Sequence, residues 1–164
     1  MRYAIAGAHG TVREPEATIR AVHAWATNHG GDVLVAEARA VFGRDHLETA
    51  ARHALRAEAA GTMISHSVSM ETLRYLSAQR QVSDAIRVAG IHRGTRGLAV
   101  VAFGTASLDE FLAEFGWSRD DGVLEGRGKS IRAFGISPKE AATVARKSQV
   151  DLVLEKVALL DVHT

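Results

Sequence analysis

The apolar run at residues 98–104, LAVVAFG, constrains the fold more than any other segment of the 164-residue chain. It contains no charged side chain, which predicts a strand buried in the middle of a sheet. Further strands are predicted at residues 2–6 and 32–42, the second because Val33, Val35 and Val41 fall on one alternation. The core is therefore expected to contain a β-sheet.

Helical spacing separates these strands along the chain. Helices are predicted at residues 14–28, 45–60 and 108–115, and in two short pieces within residues 69–91. A last helix is predicted to begin at Pro138 and to run to about Lys147, with Pro at its first position. N-caps are predicted at four residues, namely Asp45, Ser69, Ser77 and Ser137.

Three other segments are less regular. Residues 62–67 and 131–134 are expected to form short strands, whereas the apolar residues 150–162 fit either a helix or a strand. No glycine-rich linker, repeat or change in composition divides the chain. The predicted fold is therefore a single α+β (mixed) domain over residues 1–164.

The composition excludes several classes of protein. The chain has no cysteine, so disulfides, cysteine-based zinc sites and thiol catalysis are excluded. No apolar run approaches the roughly 18–20 residues of a membrane span, and the start lacks the apolar core of a signal peptide. We therefore expect a cytoplasmic protein with no membrane partner.

Catalytic and metal-binding signatures are weak. His46 and His53 are two helical turns apart, about 10.5 Å, which is too far for one metal ion. The segment GRGKS, from Gly126 to Ser130, lacks the spacing of a phosphate-binding loop, and no nucleophile motif is present. We expect no catalytic residues, no metal and no cofactor.

The charges are unevenly distributed although the net charge is only +1. Residues 69–97 contain five arginines and two acids, 5 − 2 = +3, and residues 126–135 contain three cations and no acid. Residues 109–125 contain one arginine and six acids, 1 − 6 = −5. Arginine outnumbers lysine 16 to 4, which indicates either phosphate recognition or simply a high genomic GC content.

Arg80 is predicted to lie in the first turn of a helix, at the positive end of the helix dipole. An arginine there costs about 0.3–1 kcal/mol unless an anion is close. The hypothesis is an RNA contact by Arg80 and Gln81, and the alternative is a structural Arg80 bonded to a carboxylate or to carbonyls. Arg52 and Arg56 likewise form either a solvated ladder with Glu48 or a basic stripe beside His53.

Several segments in consistent order resemble one known family. They are GRDHLETAARHALRA, SMETLRYLSAQRQVSDAIRVAGI, LAVVAFG, FGISPKEA and VLEKVALLDV. Over residues 33–162 they resemble the archaeal members of the PRPK-binding (TPRKB/Cgi) family, the small subunit of the KEOPS complex. The resemblance implies a central, mostly antiparallel β-sheet flanked by helices, and a subunit that is not an enzyme.

The resemblance also implies two partners. One is the Bud-type atypical kinase of the complex, and the other is the single-stranded 3′ CCA end of the tRNA that the complex modifies, next to the anticodon, to threonylcarbamoyl-adenosine. Cations and planar groups suit such an RNA end, and the predicted RNA-binding residues are Arg80, Gln81, His46, His53, Arg52, Arg56 and Tyr75. The apolar tail either completes the core or binds the kinase through Leu154, Leu159 and Leu160. The alternative function is a protein-binding scaffold without RNA contact.

Overall fold

The computed structural model describes residues 2–134, 136–142 and 149–162 and has a mixed α+β fold. Four strands form an antiparallel sheet in the order β2-β3-β1-β4. The strands are β1 (Tyr3–His9), β2 (Gly31–Glu37), β3 (Gly97–Gly104) and β4 (Ser118–Arg119). The helices are α1 (Pro15–Asn28), α2 (Arg44–Ala60), α3 (Val68–Ser77), α4 (Val82–Ala89), α5 (Leu108–Phe115), α6 (Pro138–Ala142) and α7 (Gln149–Val162).

Strand β3 is the centre of the sheet, as its apolar sequence predicts. It pairs with β1 along one edge, where Val101 lies opposite Ile5, and with β2 along the other, where Val101 lies opposite Leu34. The hydrophobic core on one face of the sheet includes residues of α2, α3, α4 and α7, and the core on the other face includes residues of α1 and α5. Alternate residues of β3 point to opposite faces of the sheet. Because helices cover both faces, the residues that point to either face need apolar side chains.

The predicted strands at residues 62–67 and 131–134 are wrong. Residues 62–67 form a loop whose backbone N–H groups at Ile64 and Ser65 donate to the Glu71 carboxylate, so they are not available to a sheet. Residues 132–134 form a single 3₁₀ turn. The strand predicted at residues 32–42 ends at Glu37 and continues as a 3₁₀ turn over Ala38–Ala40. The ambiguous tail is helical, as α7.

The predicted helix caps are correct only in part. Ser137 accepts a hydrogen bond from the Glu140 N–H, as expected, although the continuation to Lys147 lies outside the described residues. Gly43, with φ of 108°, replaces Asp45 at the N-cap of α2. Ser67, not Ser69, caps α3 by accepting from the Met70 N–H. The N-cap of α4 is Gln81, because Ser77 still belongs to α3.

A buried ion pair within α3 holds both loops that flank the helix. Glu71 and Arg74 are each 1% exposed, and Arg74 Nη1 donates to Glu71 Oε1 at 2.6 Å. The other Glu71 oxygen accepts from the Ser65 N–H at 2.8 Å, on the side of the preceding loop. Arg74 Nε donates to the Arg80 carbonyl at 2.6 Å, on the side of the following linker. The pair therefore determines where Arg80 lies.

We expect Arg74→Met to lower the free energy of unfolding by about 3–5 kcal/mol, because it leaves the Glu71 carboxylate buried and unpaired. Urea unfolding followed by circular dichroism measures the change. The double variant Glu71→Gln/Arg74→Met should be less unstable than Arg74→Met alone, because it removes the unpaired charge and keeps an acceptor for the Ser65 N–H.

The matched control is Arg87→Met, which breaks an exposed pair with Asp84 at 3.5 Å. Exposed pairs contribute little, so this change should cost no more than about 1 kcal/mol. Equal losses in Arg74→Met and Arg87→Met would contradict the structural role of the buried pair.

Candidate functional site

A cleft of about 440 Å³ lies between the linker that follows α3 and the C-terminal half of α7. We call it the linker cleft. It brings together residues that the sequence analysis assigned to RNA and residues that it assigned to the partner. Its principal lining residues are Arg80, Gln81, Phe134, Lys156, Leu159 and Leu160.

The α3–α4 linker places Arg80 and Gln81 at the mouth of this cleft. Ala78 ends α3 in the left-handed conformation, with φ of 54°, and so turns the chain out of the helix. Arg80 lies before α4 rather than in its first turn, and Gln81 is the N-cap without a side-chain capping bond. Both side chains are exposed, and within the described residues the Arg80 guanidinium has no hydrogen bond or ion pair.

Lys156 brings a second cation to the linker cleft. It lies on α7, on the same face as Leu159 and Leu160, at the i, i+3, i+4 spacing of a helix. Two cations and the Gln81 amide thus line one cleft, together with Asp84 of α4. The cations and the amide can bind phosphate oxygens and base edges.

The three predicted partner-binding leucines have different environments. Leu160 is 6% exposed and belongs to the main core, so it does not form part of an open surface. Leu159 is half-buried and lines the linker cleft. Leu154 is half-buried and lies outside the cleft's lining. The tail thus completes the core through Val153, Val157 and Leu160, and leaves Leu154 and Leu159 partly accessible.

His53, Tyr75 and Asp161 form a cluster that attaches α7 to α2 and α3. Asp161 accepts from the Tyr75 hydroxyl at 2.5 Å and lies 3.0 Å from His53 Nδ1. The His53 and Tyr75 rings stack at 5.0 Å. Burial, and then the hydrogen bond to Asp161, raise the pKa of Tyr75. His53 and Tyr75 thus have partners within the protein, and their contact with RNA stays a prediction.

His46 lies in the core, which corrects its predicted role in RNA binding. It is 0% exposed, accepts from the Phe42 N–H at 3.0 Å through Nδ1, and its Nε2 lies 2.9 Å from the Leu76 carbonyl. This pattern requires the neutral ring with hydrogen on Nε2. Burial lowers the pKa of His46 to about 4. Its role is to join α2 to α3.

Arg52 and Arg56 are exposed on α2 and do not line the linker cleft. Arg52 donates to the Tyr3 hydroxyl at 3.0 Å and to Glu48 at 3.3 Å. The ladder interpretation therefore describes Arg52 and Glu48 correctly, with Tyr3 as an additional member that the helix spacing alone could not indicate.

Comparison with protein families gives one match. The family described as kinase binding protein CGI-121 matches residues 12–118, which is more than half of the chain. The chain belongs to the CGI-121 family. The match includes α1–α5 and the α3–α4 linker, whereas α6, α7 and Lys156 lie beyond it. Membership confirms the predicted TPRKB/Cgi resemblance and assigns the chain to a group of kinase-binding proteins.

Other comparisons add little to this family assignment. No curated protein matches the chain.

Within the described residues, no helix is long and apolar enough to cross a membrane. The same residues contain no group of three or more His, Asp or Glu side chains that could hold a metal ion.

The buried His46 gives a specific pH dependence. Its pKa is about 4 in the folded state and 6.5 when exposed, so the unfolded chain binds one more proton between these values. The neutral His46 therefore keeps its full contribution to the free energy of unfolding above pH 6.5, and this contribution is lost as the pH falls towards 4. From a difference of 2.5 units, we expect a loss of about 3 kcal/mol from this residue.

Urea unfolding of the wild type and of His46→Gln between pH 7 and pH 4 tests this expectation. The variant should be less stable at pH 7 and should lose less stability on acidification. His23, exposed on α1, gives the matched control His23→Gln. The same pH dependence in the wild type and in His46→Gln would contradict the structural role of the neutral ring.

Proposed function

We propose that this CGI-121 family member is a non-catalytic subunit that binds both a Bud-type atypical kinase and the single-stranded 3′ CCA end of tRNA. In this role it supports the threonylcarbamoyl-adenosine modification of tRNA as part of a KEOPS complex. Kinase binding follows from the family, and the RNA contact is inferred from the linker cleft. The observation that carries the RNA contact is an exposed Arg80 held at the start of α4 by a buried ion pair.

The linker cleft suits an RNA end better than a duplex. It is a concave site of limited volume whose polar groups come from a loop and two helices. Arg80 and Lys156 would contact phosphates, and the Gln81 amide would contact a base edge. Leu159 and Phe134 provide an apolar floor against which a base can pack.

Removal of the CCA end tests this proposal. Titration of the isolated protein with tRNA should show weaker binding when CCA is absent, and the affinity should fall as salt is raised. Arg80→Gln should weaken the binding of intact tRNA about fourfold at 0.15 M salt. This corresponds to the loss of one phosphate contact, which releases roughly 0.7 counterions when it forms.

The matched control is Arg20→Gln, because Arg20 is exposed on α1 and distant in sequence from the cleft. This variant should bind intact tRNA as the wild type does. Equal affinities for intact and CCA-less tRNA would exclude the proposed RNA contact.

A second candidate function is a protein-binding scaffold without RNA contact. It is favoured by an apolar groove of about 230 Å³ between α1, α3 and α4, beside β2. Ile19 and Ile86 stand at its rims with exposures of 50% and 44%, which is unusual for side chains of this size. The groove lies entirely within the residues that match the kinase-binding family, and we propose the kinase as its occupant.

Co-purification with the kinase tests this surface. We expect Ile86→Asp to abolish co-purification, because it puts a charge in an interface that would otherwise be apolar. The matched control is Ile64→Asp, since Ile64 is 54% exposed and does not line the groove. If Leu159→Asp abolishes co-purification and Ile86→Asp does not, the kinase instead binds at α7.

A further inference from the structure

A second cleft, of about 360 Å³, brings the two basic segments of the sequence together. We call it the Arg39 cleft. Arg87 and His92 come from the first basic segment, and the loop at Lys129 and Ser130 comes from the second. Arg39, from the turn after β2, completes its rim. Neither the proposed RNA-end contact nor the kinase groove uses these residues.

The exposed charges of the Arg39 cleft are cationic, because its acid lies underneath. Glu37 is only 6% exposed and accepts from the Thr95 hydroxyl at 2.6 Å. It also lies 3.4 Å from Arg39 Nε and 3.3 Å from His92 Nδ1, so it orients both rim groups. The Arg39 side chain remains 74% exposed. An anion can therefore contact Arg39 without displacing it from Glu37.

Arg87 is similarly available. Its side chain is 71% exposed, and its partner is the half-exposed Asp84 at 3.5 Å. An exposed pair at this distance contributes little free energy, so an incoming phosphate can replace it at small cost. Arginine is suited to this role because its planar fork can bind two oxygens of one phosphate.

Lys129 builds the floor of the cleft rather than binding a ligand directly. Its Nζ donates to the carbonyls of Ala38, Val41 and Val123 at 2.6–2.7 Å, which uses all three hydrogens. Burial lowers the pKa of Lys129 to about 8. Through Lys129, the GRGKS segment thus holds the loop after the 3₁₀ turn at Asp121–Leu124 against the turn that carries Arg39.

The Arg39 cleft adjoins the linker cleft. Phe134 lines both clefts, and α4 lines the linker cleft through Asp84 and the Arg39 cleft through Arg87 and Val88. Asp84 and Arg87 are three residues apart, which is about 4.5 Å along the helix axis. A chain of phosphates that leaves the linker cleft along α4 therefore enters the Arg39 cleft at Arg87.

We propose that the Arg39 cleft binds backbone phosphates of single-stranded RNA whose 3′ end occupies the linker cleft. The inference rests on the proposed RNA-binding function and extends it to the nucleotides that precede the CCA end. Arg87 and Arg39 contact phosphates, and Glu37 and Lys129 hold the cleft in shape. Because the contacts are to the backbone, this part of the site does not select sequence.

Two RNA probes of different length separate the clefts. The trinucleotide CCA occupies the linker cleft alone, whereas a dodecanucleotide that ends in CCA reaches both. The variant Arg39→Gln/Arg87→Gln should bind the dodecanucleotide about fourteenfold more weakly at 0.15 M salt and reduce the salt slope by about 1.4, from two lost contacts. The trinucleotide should bind as it does to the wild type. The single variant Arg87→Gln, which touches no buried group, should weaken dodecanucleotide binding about fourfold.

The matched control is Arg13→Gln/Arg20→Gln, which makes the same change in charge at exposed positions outside both clefts. It should leave dodecanucleotide binding unchanged. If Arg80→Gln weakens the binding of both RNAs and the Arg39/Arg87 variants weaken neither, the proposed function stands and the inference is overturned. If Arg80→Gln also has no effect, the inference falls with the proposed function. Loss of kinase co-purification in Arg87→Gln, with RNA binding unchanged, would assign the cleft to a protein and overturn the inference.

Discussion

The buried Glu71–Arg74 pair is the interaction on which the candidate site depends. Both residues belong to α3, and the second Glu71 oxygen bonds to the loop before the helix while Arg74 Nε bonds to the linker after it. Arg74 Nη2 and the Ser65 hydroxyl are buried without a hydrogen-bond partner within the described residues, which adds a desolvation cost to the arrangement. What it provides is a fixed path for the linker, which presents Arg80 and Gln81 at the start of α4.

Strand β3 and helix α5 could be predicted almost to the residue, because their character is local. An uncharged apolar run indicates a central strand, and the helical spacing of Leu108, Phe111 and Leu112 indicates a helix. The loop at residues 62–67 could not be predicted, because a side chain from the next helix takes its backbone hydrogen bonds. The N-cap of α2 was missed because a glycine with positive φ has no side-chain signature beside the nearby Asp45.

The candidate site was predictable in the same uneven way. The position of Arg80 and Gln81 between two helices could be predicted, because the joint is visible in the sequence, whereas their contact with RNA stays a prediction. The burial of His46 could not be predicted, because it depends on what packs against the helix, and here Phe134 and the end of α3 cover the ring. Lys156 was missed because the tail had not been recognised as a helix. Once α7 is known to be a helix, the three-residue spacing of Lys156 and Leu159 places both side chains on one face.

A net charge of +1 does not count against binding to a polyanion, because the charges of this chain are segregated in space. The C-terminal end of α4 bridges to β2, at one edge of the sheet. Asp109 and Asp121 of the acidic segment lie at the opposite edge, where each is close to Arg119 of β4, whereas Glu125 of the same segment lies near Lys129. Three strand spacings of about 4.8 Å put the two edges roughly 14 Å apart. This exceeds the Debye length of about 8 Å at physiological salt, so the acids at β4 are largely screened from a phosphate beside Arg87.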